Sequence, residues 1–341
     1  MWETCSAKHA SVFSHEGAPM VNGAINDDGN DGVVVPFQRP GPGADAGGSW
    51  AMPALLLGAR LRTLRGVRKQ KEVAETSGFS KSQYSRIEAG EIRLDKPEGI
   101  ALILKKLGVR PGPDFEQLMQ LARDASVKGW VAPYYAANRD AVPTDLMRLI
   151  ELETRASDLF SVETGVVPGL LQTDSYRRAV TEATVMASQR GMVGHIVKVR
   201  GERHERFFER PPRSVFFIKQ SALYQVFGSR ELMVKQMERL LKYVETPQIG
   251  VRVIPMKLPL ASQVSSLTRL VFNGHQFAVP ELIYNEWGGH GFYYRGPLPG
   301  EDPEPGFVDL REIIDSTMLT APGREGSRAL IIDALEHHRD S

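Results

Sequence analysis

The alternation of apolar and polar positions changes character twice along the chain. Residues 1 to about 50 show neither a helical nor a strand period and are dominated by Gly, Asp, Asn and Pro, as in Asn26-Asp27-Asp28-Gly29-Asn30-Asp31-Gly32 and Arg39-Pro40-Gly41-Pro42-Gly43. Such a segment buries too little apolar surface to order itself, so residues 1–52 are read as a disordered extension. Met52 opens the first patterned stretch and stands beside Met1 as a candidate start. From Pro53 the period is helical. Leu57, Leu61 and Leu64 form one stripe, and short helices are expected over Gln70–Ser77 and Lys81–Ala89. Ile100, Ile103, Leu104 and Leu107 stripe a fourth helix, closed by Gly108 as a left-handed residue. A fifth starts at Asp114, with Gln117 completing a capping box, and buries Phe115, Leu118, Met119 and Ala122. Five short helices predict a compact all-α domain over 53–127.

After a linker at 128–143 the pattern is mixed. Helices are predicted at 144–160, 173–187, 192–209, 229–245, 307–318 and 326–338, with Met233, Met237, Leu240, Leu241 and Val244 striping the fourth of these. Strands are predicted at Ser214–Lys219, Ile249–Pro255, Leu267–Phe272 and Glu281–Tyr284. Residues 144–341 are therefore expected to form a larger α+β domain, preferred over α/β, whose strand order cannot be read from one chain.

Composition narrows the function classes. The chain has 341 residues, 42% hydrophobic and 24% charged, the profile of a globular protein of two or three domains. A single cysteine, Cys5, excludes an intramolecular disulfide and a thiolate-rich zinc site. No apolar run approaches the ~20 residues that span a bilayer, and the N-terminus lacks the pattern of a signal peptide, so a cytoplasmic protein is expected. A net charge of +1 hides an uneven distribution: residues 54–110 hold thirteen bases and six acids, a surplus of seven. A basic module on an acidic body is the footprint of a DNA reader.

The strongest motif is Gln70-Lys71-Glu72-Val73-Ala74-Glu75-Thr76-Ser77-Gly78-Phe79-Ser80-Lys81-Ser82-Gln83-Tyr84-Ser85-Arg86-Ile87-Glu88-Ala89-Gly90. Two helices crossing through a three-residue turn need a small residue at closest approach (Ala74), a residue tolerant of positive φ (Gly78) and a cap for the second helix (Ser80). Val73, Phe79, Tyr84 and Ile87 have the spacing to pack the pair onto the first helix. The run Ser80-Lys81-Ser82-Gln83-Tyr84-Ser85-Arg86-Ile87-Glu88-Ala89-Gly90 resembles the ending of the lambda-repressor-like (Cro/XRE) helix-turn-helix family. Two departures stand out: Ser77 sits where that family usually has Leu, and the connection Arg65-Gly66-Val67-Arg68-Lys69 is about two residues short.

The resemblance implies that the second helix lies in the major groove of double-stranded DNA, with Lys81, Ser82, Gln83 and Arg86 on its exposed face and Ser80 and Ser85 among the DNA-binding residues. Gln83 would suit an adenine edge, and Arg86 or Lys81 a guanine. Gln70, at a helix N-terminus, is better suited to a phosphate, as are Arg68, Lys69 and Lys71. A homodimer on a two-fold site is the expected assembly.

Residues from about 144 resemble the large C-terminal domain that follows this motif in many actinobacterial regulators. The carrying residues are Val166-Val167-Pro168-Gly169-Leu170-Leu171-Gln172-Thr173-Asp174-Ser175-Tyr176, Arg203-His204-Glu205-Arg206 and Ile249-Gly250-Val251-Arg252-Val253-Ile254-Pro255. Some relatives are antitoxin-like and encoded beside a small partner protein, so the resemblance implies a sensor or protein-interaction domain. Read for itself, Pro168-Gly169 is a turn and Thr173 or Asp174 a helix cap.

No catalytic residue, metal ligand or cofactor site is expected. His204-Glu205-Arg206-Phe207-Phe208 has Phe where a second zinc His must stand, and the acidic run near residue 30 lacks the ligands of a calcium loop. Arg200, Arg203, Arg206 and Arg210 read as a helix edge answered by i, i+4 pairing with Glu202, Glu205 and Glu209. Glu286-Trp287-Gly288-Gly289-His290-Gly291 reads as a structural loop, and His337-His338 as a frayed, solvated end. The chain is therefore expected to be a transcription regulator and not an enzyme, its alternative an antitoxin-like protein whose main role is binding that neighbour-encoded partner.

Overall fold

Leu57 and Leu61 are fully buried along α1 (Ala51–Arg65), and Leu64 packs half-buried at its end. In this computed structural model, which describes residues 51–75, 77–127, 143–258, 266–274, 278–287 and 290–340, α1 begins two residues before the expected boundary, with Ala51 and Met52 buried. The expected extension before Ala51 and most of the linker lie outside the described residues. Helices α2 (Gln70–Ala74), α3 (Lys81–Glu88), α4 (Glu98–Lys106) and α5 (Pro113–Asp124) complete the first domain. Gly108 closes α4 at φ +86°, with the Val109 N–H reaching back to the Leu104 carbonyl. The expected start of α5 is corrected: Pro113 occupies its first turn and Gly112 its N-cap without a side-chain cap, so no Asp114–Gln117 box forms.

The tightest packing is between α1 and α3. A Cβ on Gly58 would stand 2.5 Å from the carbonyl oxygens of Ile87 and Glu88, so α3's last turn lies directly on the α1 backbone. Gly90 ends α3 at φ +62°, donating to Ile87 while Glu91 donates to Arg86, and a Cβ there would strike Leu55.

The second domain opens with α6 (Thr144–Glu153), followed by β1 (Asp158–Glu163). The predicted helix 144–160 therefore overran a strand. β1 is the third strand of a six-stranded sheet and packs both faces, with Leu159 and Val162 fully buried, so it carries no clean two-residue alternation. The remaining elements are α7 (Asp174–Thr184), α8 (Val193–Glu209), β2 (Arg213–Lys219), the unforeseen short α9 (Gln220–Tyr224), α10 (Arg230–Val244), β3 (Ile249–Ile254), β4 (Ser266–Val271), β5 (Leu282–Trp287), β6 (His290–Arg295), α11 (Phe307–Thr320) and α12 (Arg324–Asp340). The strand β6 was not anticipated, because its glycine and aromatics carry little apolar pattern.

The sheet order is β3-β2-β1-β4-β5-β6. The first three strands run parallel and the last three antiparallel, so the hand of pairing switches between β1 and β4. One face packs Val162, Phe217, Leu267 and Ile283 against α11. The other carries three rows across β1, β4 and β5, set by register: Leu159-Leu270-Leu282, Ser161-Thr268-Tyr284 and Glu163-Ser266-Glu286. Apolar gives way to charged toward the carboxyl ends of β1 and β5. The turn at Pro168-Gly169 and the cap of α7 by Thr173, which accepts from the Tyr176 N–H, are as read from sequence. His338 is not frayed: it is buried, with Nε2 2.8 Å from the Leu223 carbonyl, because α12 packs along α10 and β3.

Gly58→Ala should destabilise the chain by about 1–3 kcal/mol in chemical denaturation, since two backbones would have to part. Gly165→Ala, whose added Cβ meets nothing within 4 Å, is the matched control and should be near neutral.

Candidate functional sites

Helix α3 is built to stop and start sharply. Gly78 takes φ +76° in the turn, and Ser80 opens α3 with a complete capping box: its hydroxyl accepts from the Gln83 N–H at 3.1 Å, while its own N–H donates to Gln83 Oε1 at 2.9 Å. Ser77, where an apolar residue is more usual, is buried and donates to the Ala74 carbonyl at 2.7 Å. Val73, Tyr84 and Ile87 are buried as expected, whereas Phe79 lies half-buried across Gly99 of α4.

One buried carboxylate joins three helices. Glu88, 3% exposed, receives Arg65 Nε at 2.6 Å on one oxygen and Gln70 Nε2 at 2.8 Å on the other. Arg65 comes from the end of α1 and Gln70 from the start of α2, so the ion pair sets the angle between them. Arg65 also donates to the Gly66 and Arg68 carbonyls, which explains how the short α1–α2 connection closes. Burial pulls the Arg65 guanidinium down, but Glu88 outweighs it, and the net displacement is upward.

The residues singled out from sequence separate into three groups. Ser80, Lys81, Ser82 and Gln83 are exposed on the first turn of α3, and Arg68, Lys69 and Lys71 are exposed around the start of α2. Ser85 and Arg86 are half-buried, and Arg86 Nε is shielded without an acceptor. Gln70 is committed to Glu88, because a buried carboxylate needs donors. Gln83 keeps Nε2 outward while its carbonyl serves the cap.

The second domain meets the far end of α3. Arg148 of α6, 7% exposed, donates to the carbonyl of Ala89, the C-cap of α3, at 3.3 Å. Its guanidinium sits 4.4 Å over the Tyr293 ring, and Tyr293 donates to the Asp145 carbonyl at 2.7 Å. Arg62 of α1 pairs with Glu301 at 2.5 Å. Burial lifts the Glu304 carboxyl at this seam to about 7, against the pull of Arg62.

A cleft of about 340 Å³ opens at the carboxyl ends of β1 and β5. Its floor holds the charged row of the sheet, its sides are α6 and α8, and the Val166–Leu171 turn lies at its rim. Arg200 and Arg203 face into it, which corrects their reading as a solvent edge. Arg203 binds Glu153 of α6 through two bonds of 2.9 and 2.5 Å, and Arg200 donates to the Thr181 hydroxyl at 3.2 Å. Only Arg206 makes the expected i, i+4 pair, with Glu202. His204 is likewise engaged, with Nδ1 2.8 Å from the Leu170 carbonyl. Glu286 and Trp287, expected to form only a loop, end β5 at the cleft. Gly291 leaves room for the Tyr284 ring, which a Cβ would meet at 2.1 Å.

Glu163 accepts the Ser266 hydroxyl at 2.7 Å, yet burial lifts its carboxyl to about 8. Glu286 adds to the rise, while Ser266, Arg203 and Arg200 oppose it. Burial depresses the Arg200 guanidinium, and the Glu286 and Glu163 carboxylates offset this only in part. Among the described residues, no group of three or more His, Cys, Asp or Glu is placed to hold a metal ion, and no helix is long and apolar enough to cross a membrane.

Two comparisons fit this division. Residues 56–118 match a family described as a helix-turn-helix domain, and residues 146–297 match a family described as a domain of unknown function, DUF5753. No curated protein and no solved structure matches the chain. The chain thus carries a helix-turn-helix domain followed by a DUF5753 domain, an arrangement that supports a DNA-binding regulator.

Two outcomes test these sites. Glu88→Ala should cost about 3 kcal/mol in denaturation, because it strands a largely buried guanidinium and an amide. Glu163 holds its proton longer in the folded chain than at its ordinary value of 4.5. Its burial therefore costs nothing below about pH 4.5, and stability falls as pH rises toward 8. Glu163→Gln should accordingly melt higher than wild type above about pH 8 and converge with it near pH 4.

Proposed function

We propose that the chain is a sequence-specific transcription regulator of the lambda-repressor-like (XRE) class, reading the major groove with α3. The observation that carries this reading is the division of labour along α3. Its last turn is fixed by Gly58, Glu88 and Gly90, while its first turn leaves Lys81, Ser82 and Gln83 in solvent. Recognition helices touch base edges with their N-terminal residues, which is the end left open. Lys81 and Arg86 contact guanine edges, Ser82 and Ser85 line the groove, and Arg68, Lys69 and Lys71 neutralise phosphates.

In this reading the protein works in the cytoplasm as a homodimer on two half-sites about one helical turn apart. The second domain is its sensor half, binding an effector or a small partner protein, and catalyses nothing. Support comes from the contact of α6 with the C-cap of α3, which gives the second domain a handle on the reading helix.

Footprinting and mobility shift on the DNA flanking the gene test the proposal. Lys81→Ala and Arg86→Ala should each lose about 1–3 kcal/mol of specific affinity. Lys69→Ala should weaken all sequences alike and reduce the salt slope by about 1. A wild-type chain that leaves no specific footprint, with the α3 variants binding equally well, would sink the reading.

A further inference from the structure

We propose that Glu91, just past the end of α3, is a positioning residue that draws Arg86 away from the groove, and that Arg148 of the second domain competes with Arg86 for it. The inference rests on the regulator reading, because it concerns a side chain assigned there to a guanine edge. Arg86 does not stand ready for DNA. It is half-buried near the end of α3, its Nε is shielded from solvent, and its guanidinium makes no hydrogen bond among the described residues. Lys81, Ser82 and Gln83, by contrast, are exposed on the first turn. A guanidinium has five N–H donors, so one that is shielded yet unbonded is held by charge alone and is free to relocate.

Glu91 is placed to supply that charge. Its N–H donates to the Arg86 carbonyl at 2.9 Å, so its side chain leaves the backbone beside the turn that carries Arg86. The carboxylate is half-buried and makes no hydrogen bond among the described residues. It also stands at the negative end of α3, a poor place for an acid unless cations answer it. Burial lifts the Glu91 carboxyl above its ordinary value, and the cations that oppose the rise are Arg148 first and Arg86 second. Glu304 and Asp145 of the second domain add to the rise. One carboxylate thus lies in the field of two guanidiniums, one from each domain, and is hydrogen-bonded to neither.

The second claimant is underserved as well. Arg148 is buried, its bond to the Ala89 carbonyl is long at 3.3 Å, and its Nε has no acceptor. Buried polar groups are normally paired, so two shielded Nε donors around one carboxylate call for an explanation. Competition for Glu91 is that explanation. The more of the carboxylate's charge Arg148 answers, the less draws Arg86 inward, and the more freely Arg86 turns toward a groove. Without Arg148, Glu91 faces Arg86 alone and the pair closes. The reading helix then loses the donor fork that suits guanine O6 and N7. The second domain reaches base recognition through this one charge. Its lever is α6, which carries Arg148 and lines the sheet cleft with Leu146, Leu149 and Glu153.

The test uses the full-length chain with Glu91→Gln, Arg148→Gln and the double variant, each checked by circular dichroism for an unchanged fold. The first readout needs no DNA: mass spectrometry follows labelling of Arg86 by p-hydroxyphenylglyoxal, which modifies accessible guanidinium groups. Glu91→Gln should raise that labelling, Arg148→Gln should lower it, and the double variant should label like Glu91→Gln. The second readout is footprint titration on the DNA flanking the gene. Glu91→Gln should bind the specific site about threefold more tightly and Arg148→Gln about tenfold more weakly than wild type. The double variant should bind like Glu91→Gln, because without the carboxylate Arg148 has nothing to contest. A merely structural Arg148 predicts instead that the double variant stays as weak as Arg148→Gln, and that result overturns the proposal. Arg86 labelling that is unchanged in Glu91→Gln overturns it too, and decides the matter alone should Arg148→Gln fail to fold. A wild-type chain without a specific footprint removes the regulator reading, while the labelling still shows whether Glu91 holds Arg86.

Discussion

Everything the first domain presents depends on a contact between two backbones. Because Gly58 has no Cβ, the carbonyls of Ile87 and Glu88 rest against α1 at a distance no side chain would allow. The close seat draws the Glu88 carboxylate into the core, where water cannot serve it, and Arg65 and Gln70 are recruited in its place. The hydrogen bonds then fix where α2 begins relative to where α1 ends. Fastening α3 by its last turn is what leaves its first turn unencumbered. A helix held by its middle would have had both ends half-covered.

The second domain solves a different problem with the same economy. Its sheet packs Val162, Phe217, Leu267 and Ile283 on one face, with Arg252 and Arg269 paired among them, and is graded on the other, from leucines through hydroxyls to carboxylates. Gradation of this kind follows from strand register alone, since partners across β1, β4 and β5 share a face. Arg148 then ties the two domains at a carbonyl that the end of α3 leaves without an intrahelical partner. The joint is not polar alone, because buried apolar residues of α1 and of α6, such as Ala51 and Leu149, belong to one continuous hydrophobic cluster.

Much of the first domain was legible because its determinants are local. Leucine spacing, the positive-φ glycines at 78 and 108 and the Ser80 cap are all read within a few residues of themselves. Interactions that span the chain were not. Glu88 looks like a helix-surface acid until Arg65 and Gln70 close on it, and Arg203 looks solvated until Glu153, fifty residues earlier, is brought beneath it. The same holds for His338, whose partner is a backbone carbonyl at Leu223. Strand β1 was hidden for another reason. A central strand buried on both sides loses the alternation that distinguishes strands, and Leu159, Phe160 and Val162 pass equally well for a helix. The cleft was invisible because its charged groups come from four separate elements.

Gln83 carries an implication for which base edges α3 can prefer. Its carbonyl oxygen already accepts the Ser80 N–H, so one of its two lone pairs is engaged by the cap. With the Lys81 ammonium beside it, the open end of the helix is a donor-dominated surface, relieved by the Ser82 hydroxyl and the lone pair that Gln83 keeps. The adenine pairing that glutamine makes elsewhere calls on the same oxygen and so competes with the cap for it. In the proposed reading, a helix closed in this way favours edges rich in lone pairs, guanine N7 and O6 foremost and thymine O4 next, and takes an adenine in competition with its cap. The residue that starts the helix thereby edits what the helix can recognise.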